Sequence, residues 1–280
     1  MTSVEAFTNL SIQEAGRGSA DIQVSGFNAN SVINRSHAYY PGMPVFNGDT
    51  WVKSESGMPG DGSHATVLHE LGHALGLKHP HDSGGDLPRM SATHDSSEYT
   101  VMTYNDTYGA PQTFMQYDIA ALQAMYGADF TTNSGNTIYT WSPQTGETFI
   151  NGVGQGTARN GLIFQTIWDG GGIDLYDVSN HFGNAVIDLN PGGAVKFAEG
   201  KLAWKGQSYV SGNVYNALLY QGDTRSLIEN AASGSGNDQI FGNAAQNVLR
   251  GNGGKDLLKG GAGNDALYGG EADDVLNGGL

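Results

Sequence analysis

Residues 251–270 read Gly251-Asn252-Gly253-Gly254-Lys255-Asp256-Leu257-Leu258-Lys259-Gly260-Gly261-Ala262-Gly263-Asn264-Asp265-Ala266-Leu267-Tyr268-Gly269-Gly270, and a period of nine runs through them. Asp238, Asn247, Asp256, Asp265 and Asp274 fall on that period, and two positions after each stands Ile240, Leu249, Leu258, Leu267 or Leu276. Glycines precede at matching phase, at Gly234 and Gly236, Gly251 and Gly253, Gly260, Gly261 and Gly263, and Gly269 and Gly270. Such a unit is a glycine turn followed by a very short strand. Its single aliphatic side chain is buried only when neighbouring units stack, which predicts a parallel β-roll. Glycine allows the tight turns, while aspartate carboxylates and turn carbonyls are the hard oxygen ligands that Ca²⁺ prefers. The pattern therefore places Ca²⁺ ligands at Gly234, Gly236, Asp238, Gly251, Gly253, Asp256, Gly260, Gly261, Gly263, Asp265 and Asp274. Asn247 puts a neutral amide in one turn, which is expected to hold Ca²⁺ more weakly. Without Ca²⁺ the aspartate rows repel and the aliphatic ladder is thin, so this segment is expected to be disordered in the ion-free state.

Working outward, the 280 residues suit one large domain or two ordinary ones, and 43 glycines are roughly twice the usual share. Asp and Glu number 28 against 13 for Lys and Arg, a net charge of −15, which disfavours nucleic acid as a partner. The chain has no Cys, so disulfides, thiolate metal sites and Cys nucleophiles are excluded. A metal must be held by His, carboxylate, Tyr or backbone oxygen. No apolar run is long enough to span a membrane, and residues from Met1 onward lack the features of a cleavable secretory signal. Strand-like patches precede residue 60, at Leu10 to Glu14, Asp21 to Val24 and Thr50 to Lys53; another lies at Ala185 to Leu189. Helical periodicity predicts one helix over 63–75, with Val67, Leu68, Leu71, Ala74 and Leu75 on its apolar face, and a second over 116–126 ended by Gly127. A domain boundary is placed near residue 130, giving units 1–130 and 131–280.

Within the first helix stand His69-Glu70-Leu71-Gly72-His73, followed by Gly76 and His79. Two His four apart on a helix share a face and can reach one ion. Gly76 can take a left-handed conformation that ends the helix and returns His79 to the same ion. Three imidazoles leave a coordination position open, the pattern of catalytic rather than structural zinc. Zn²⁺ there lowers the pKa of water, and Glu70 is placed as the general base for attack on a peptide carbonyl. His81 exceeds the ligand count, and His37, His64, His94 and His181 are expected on the surface or in packing.

The long zinc motif, with the downstream run Tyr99-Thr100-Val101-Met102-Thr103-Tyr104, resembles the metzincin zinc endopeptidases. Pro80 after the third His, the Met102-Thr103-Tyr104 turn and the nonapeptide repeats narrow the resemblance to the serralysins. The likeness extends to Asp118-Ile119-Ala120-Ala121-Leu122-Gln123 and to Ile228-Glu229-Asn230-Ala231. It implies an α+β metzincin-like catalytic domain followed by an all-β parallel β-roll. It further implies zinc on His69, His73 and His79, Glu70 as base, Met102 as an apolar floor, and Tyr104 as a detachable zinc ligand that hydrogen-bonds the developing oxyanion. Asp169, Gly171, Gly172, Asp174 and Glu229 match further calcium-ligand positions of the family.

The resemblance implies a secreted, extracellular monomer that cuts proteins or peptides, leaves the cell by type I secretion, and inserts in no membrane. The family's N-terminal helix is not found before His69, and the repeats stop at Gly278-Gly279-Leu280 without the family's further turns. The rival reading is a non-catalytic calcium-binding repeat protein on a protease-derived scaffold. Intact Glu70 argues against it.

Overall fold

The computed structural model describes residues 4–15, 20–27, 35–42, 46–53, 57–83, 88–105, 107–198 and 201–279. Three short strands, β1 (Val24–Phe27), β2 (His37–Ala38) and β3 (Thr50–Lys53), form a sheet in the order β1-β3-β2, with β1 parallel and β2 antiparallel to β3. Helix α1 (Gly62–Ala74) packs on β2 and β3, and α2 (Gln116–Tyr126) follows. The expected strand at Leu10 to Glu14 is irregular. Ile12 is 51% exposed and its N–H donates to Glu5 Oε1 at 2.8 Å, so this short alternating stretch has a local side-chain acceptor in place of a strand ladder. At 21–24 only Val24 enters a strand.

After residue 130 the regular elements are strands and single 3₁₀ turns. In chain order they are β4 (Ile138–Trp141), β5 (Thr148–Ile150), β6 (Val153–Gly154), β7 (Gln165–Ile167), β8 (Leu175–Asp177), β9 (Val186–Asp188), β10 (Ala194–Lys196) and β11 (Val214–Asn216). The repeats supply β12 (Asn230–Ala232), β13 (Gln239–Phe241), β14 (Val248–Asn252), β15 (Leu257–Lys259), β16 (Ala266–Gly270) and β17 (Val275–Asn277). They build two seven-stranded sheets, ordered β17-β15-β13-β9-β10-β11-β7 and β16-β14-β12-β8-β4-β5-β6. Successive repeat strands alternate between the sheets, so parallel neighbours lie two repeats apart, as in Ile240↔Leu258 and Leu249↔Leu267. This is the parallel roll that the period of nine predicts. Ile240, Leu249 and Leu258 are fully buried between the sheets, Leu267 is partly buried, and Leu276 is 48% exposed at the last strand.

Two apolar cores result. One is filled by Tyr139, Trp141, Tyr176, Ile187, Phe197 and the aliphatic ladder of the roll. The other gathers Val4, Phe7, Leu68, Met102, Phe114 and Leu122, and it takes Phe164, Trp168 and Tyr215 from beyond residue 130. The backbone stitches the same seam, with Gln112 N donating to Phe164 O at 2.8 Å and Tyr108 bridged to Trp204. Glu98, 1% exposed, reaches across it to accept from Lys205 Nζ, Ser211 N and the Tyr215 hydroxyl, at 2.5, 2.8 and 3.1 Å. These contacts hold the turns below α1 against the strand-built half.

Candidate metal centre

Asp61 starts α1. Its Oδ1 accepts the His64 N–H at 2.7 Å and its Oδ2 the Met58 N–H at 2.9 Å, which satisfies donors that a helix start leaves open. The helix ends after Ala74, and Gly76 at φ 97°, a region that favours glycine, turns the chain back. His79 thereby returns beside His69 and His73, and one nitrogen from each of the three lies within 4.8 Å of the others.

Each ring is oriented through its Nδ1. His69 Nδ1 is 2.8 Å from Val101 O, His73 Nδ1 is 2.8 Å from Leu77 O, and His79 Nδ1 is 3.0 Å from Asp82 Oδ2. Those acceptors require the proton on Nδ1, so Nε2 carries a lone pair. His73 Nε2 and His79 Nε2 face each other at 3.0 Å. Two lone pairs at that distance repel unless a cation lies between them, and two nitrogens on one tetrahedral zinc sit about 3.3 Å apart. Burial pushes the His73 imidazole down to about 4, which keeps it neutral and able to ligate. The donor set and its spacing fit zinc.

Below the histidines runs the turn at Met102. Asp118, near the start of α2, accepts from Thr100 Oγ1 at 2.5 Å, Val101 N at 2.7 Å and Met115 N at 2.9 Å. Val101 in turn holds His69, so a carboxylate on α2 reaches the metal site through one residue. Met102 is 2% exposed, and its Sδ lies so close to α1 that a Cβ at Gly72 would meet it at 2.4 Å. Glu70 is 6% exposed, and burial pushes its carboxyl up to about 7. Tyr104 is 65% exposed, its ring 4.4 Å from that of His79 and 5.7 Å from that of His69. Burial, Glu70 and Asp82 raise its hydroxyl pKa. His81, set aside as a ligand by sequence, stacks on His79 at 5.1 Å and forms a second possible donor group with His79 and Asp82.

A sequence profile described as Peptidase M10 serralysin C terminal matches residues 128–277, more than half of the chain. The chain belongs to the serralysin family. Metalloprotease AprA of Pseudomonas entomophila is 34% identical over 264 residues, covering 85% of this chain and 50% of that protein. Serralysin of Proteus mirabilis is 34% identical over 242 residues, covering 80% and 45%, and a serralysin C of Dickeya chrysanthemi is 36% identical over 224 residues, covering 73% and 42%. The chain spans about half the length of these relatives.

In this serralysin the second group of predicted ligands is also brought together. Asp169 and Asp174 are 1% and 0% exposed, and Glu229 Oε2 accepts the Asp174 N–H at 2.8 Å. Asp169 Oδ1 accepts from Gly171 N at 2.7 Å, while Gly171 and Gly172 stand at φ 134° and 145°. Asp174 Oδ2 is buried with no hydrogen-bond partner. Burial and mutual repulsion push Asp169 up to about 6 and Asp174 and Glu229 up to about 7. Carboxylate oxygens gathered in this way are the hard donors that suit a divalent cation.

The roll turns repeat the device. Asp256, Asp265 and Asp274 each give Oδ1 to a backbone N–H 18 residues earlier, on Asp238, Asn247 and Asp256. Asp256 Oδ2 and Asp265 Oδ2 are buried without a hydrogen-bond partner, facing the glycine turns. A Cβ at Gly251 would meet Asp256 Oδ2 at 2.1 Å and one at Gly260 would meet Asp265 Oδ2 at 2.3 Å, while at Gly234, Gly236, Gly261 and Gly263 it would meet the carbonyl oxygens of His181, Gly183, Asn243 and Ala245; at Gly253 it would meet only Ser235 carbons, at 3.5 Å or more. Asp238 Oδ1 accepts the Ala185 N–H at 2.6 Å. Asn247 differs. Its Nδ2 donates to Glu229 O at 2.7 Å and Asn243 Oδ1 at 3.1 Å, and its Oδ1 accepts from Asn243 N at 2.8 Å, so this turn is closed by amide hydrogen bonds.

Sequence reasoning missed Asp82, Glu98 and the bracing part of Asp118. Asp82 follows the third His by three residues and Asp118 opens a helix, so both had local signals. Glu98 acts over more than 100 residues of separation and had none. His64 Nε2 lies 2.9 Å from Gln112 O, and His181, 1% exposed, stacks on Phe197 at 4.4 Å; both are packing residues, as expected.

Proposed function

We propose that this protein is a secreted, zinc-dependent endopeptidase that hydrolyses peptide bonds in proteins and is stabilised by calcium. The observation that carries the reading is three Nε2 atoms turned to one point by three anchored Nδ1–H groups, with the buried carboxyl of Glu70 one residue along the same helix. His69, His73 and His79 would hold Zn²⁺, with Tyr104 at the rim as a further, detachable ligand. When bound, the ion supplies a Lewis acid that polarises the scissile carbonyl and acidifies water. Glu70, in its ionised form, would be the base that takes a proton from water and passes it to the leaving amine. The exposed Tyr104 would swing aside and donate a hydrogen bond from its hydroxyl to the carbonyl oxygen as charge develops there.

Residues 1–130 would then be the catalytic unit and 131–280 the calcium-binding unit. Asp169, Gly171, Gly172, Asp174, Glu229 and the roll turns would hold Ca²⁺. Extracellular calcium is abundant enough to fill such turns, while a calcium-poor cytoplasm leaves them unfolded for export through a type I pathway. Among the described residues no helix is long and apolar enough to cross a membrane.

Hydrolysis of quenched peptides with Zn²⁺ and Ca²⁺ supplied tests the reading, with Glu70→Ala as baseline. Wild type is expected to exceed that baseline by about 10²–10⁴ in kcat/KM, the range for a general base. Equal rates from two folded, zinc-loaded proteins would contradict the mechanism and favour the calcium-binding scaffold.

A further inference from the structure

The face of α1 that carries His69 and Glu70 opens into a cleft of about 1190 Å³ whose charge runs against that of the chain. Among the described residues, four Lys and Arg line it, Arg35, Lys53, Arg159 and Lys201, against two Asp and Glu, Asp61 and Glu70. Asp61 is occupied as the helix cap and Glu70 is buried beside the histidines. The cations come from separate parts of the fold. Arg35 precedes β2 and Lys53 ends β3, whereas Arg159 and Lys201 lie on loops beyond residue 130. Lys201 Nζ donates to the carbonyl of Asn160 at 2.6 Å, a neutral partner that leaves its charge in place.

We propose that this cationic lining makes the cleft selective for acidic stretches of polypeptide, with carboxylate side chains of the substrate held by Arg35, Arg159 and Lys201. The proposal rests on the endopeptidase reading and names its substrate class. Arg35 and Tyr104 both line the cleft, so one cation shares the wall that carries the proposed reaction site. Arg159 Nη1 stands 3.7 Å from Asp61 Oδ2 at the far end of the cleft. From Asp61 to His69 the helix rises about 12 Å, the length of three to four residues of extended peptide. An acidic residue three or four positions from the cleaved bond therefore reaches Arg159 and Lys201. The chain's net charge of −15 repels acidic polypeptides elsewhere, so the cleft is where they are drawn.

The test uses pairs of quenched peptides identical except for Glu or Gln at the third and fourth positions on each side of the cleaved bond in turn, with the zinc- and calcium-loaded protein. The Glu peptide is expected to show about tenfold higher kcat/KM at low salt, falling to about twofold at 0.5 M NaCl as screening shortens the field. Arg35→Gln with Arg159→Gln and Lys201→Gln should bring the ratio close to one. Lys53→Gln with Lys201→Gln, which leaves the Asp61 pair alone, should lower it severalfold. Lys255→Gln on the roll, outside the cleft, should leave it unchanged. Equal kcat/KM for the Glu and Gln peptides at low salt, or a preference that survives the triple substitution, would overturn the proposal while leaving the endopeptidase standing. Binding of the same peptides to Glu70→Ala, read by fluorescence anisotropy, separates the two claims. Tighter binding of the Glu peptide without any cleavage by wild type would support the cleft and sink the endopeptidase, whereas equal binding would count against the cleft.

Discussion

The histidine centre and the roll turns are proposed to meet the same demand, an ion at a fixed place, and they are built by opposite means. At the first, protein groups aim the ligands: Val101 O, Leu77 O and Asp82 each grip one imidazole, and Asp118 braces Val101 from another helix. At the second, Asp256 and Asp265 each tie one oxygen to the neighbouring coil and leave the other buried without a hydrogen-bond partner. Crowded neutral rings repel only through their lone pairs, since burial keeps a ring such as His73 uncharged. Crowded carboxylates repel as full charges. On the proposed reading the fold would build the zinc site, and the ions would build the calcium roll.

Breaking the brace should have the largest effect. Asp118→Ala leaves Val101 N, Met115 N and Thr100 Oγ1 without their acceptor, and is expected to cost about 3 kcal/mol in denaturant unfolding of the first core. A change near zero would mean that the Met102 turn is held by its apolar contacts alone. Next comes Asp82→Ala, which frees the His79 ring. Zinc affinity, read by competition with a chelator, should fall about tenfold, with calcium-dependent stability unaltered. An unchanged zinc constant would show that the third ligand needs no orienting partner.

The smallest effect sharpens the contrast through pH. Asp169, Asp174 and Glu229 are pushed up from 3.8, 3.8 and 4.5 to about 6, 7 and 7. A raised carboxyl binds its proton more tightly in the folded than in the unfolded chain. Its contribution is fully present below about pH 4 and is lost as pH climbs toward 7. With calcium chelated, Tm should fall by a few degrees from pH 5 to 7.5. With calcium in excess the trend should reverse, because the ion binds the ionised site and each proton released favours binding. At 100 times the dissociation constant a site adds about 2.7 kcal/mol. Parallel Tm curves with and without calcium would remove these carboxylates from the account.

What could be read from the sequence follows the range over which each interaction acts. The roll was legible as a parallel stack, because a period of nine keeps Ile240, Leu249 and Leu258 in phase; that alternate repeats go to opposite sheets was not. The histidine cluster was legible because His69 and His73 share a helix face and Gly76 announces the turn to His79. Tertiary braces were not. Glu98 ties to Lys205, Ser211 and Tyr215 across the seam, and nothing near it in the chain signals that role. The irregular course of 10–14 was misread for a related reason, since alternation marks a strand only where a neighbouring strand is available.

Hydrogen exchange on the zinc-loaded chain, with and without calcium, tests the division between the two sites most directly. The account predicts that calcium slows exchange by orders of magnitude over 234–279 and around 169–174, while amides of 64–79 exchange at the same rate in both conditions. Equal protection of the roll without calcium, or collapse of the α1 segment when calcium is removed, would contradict it.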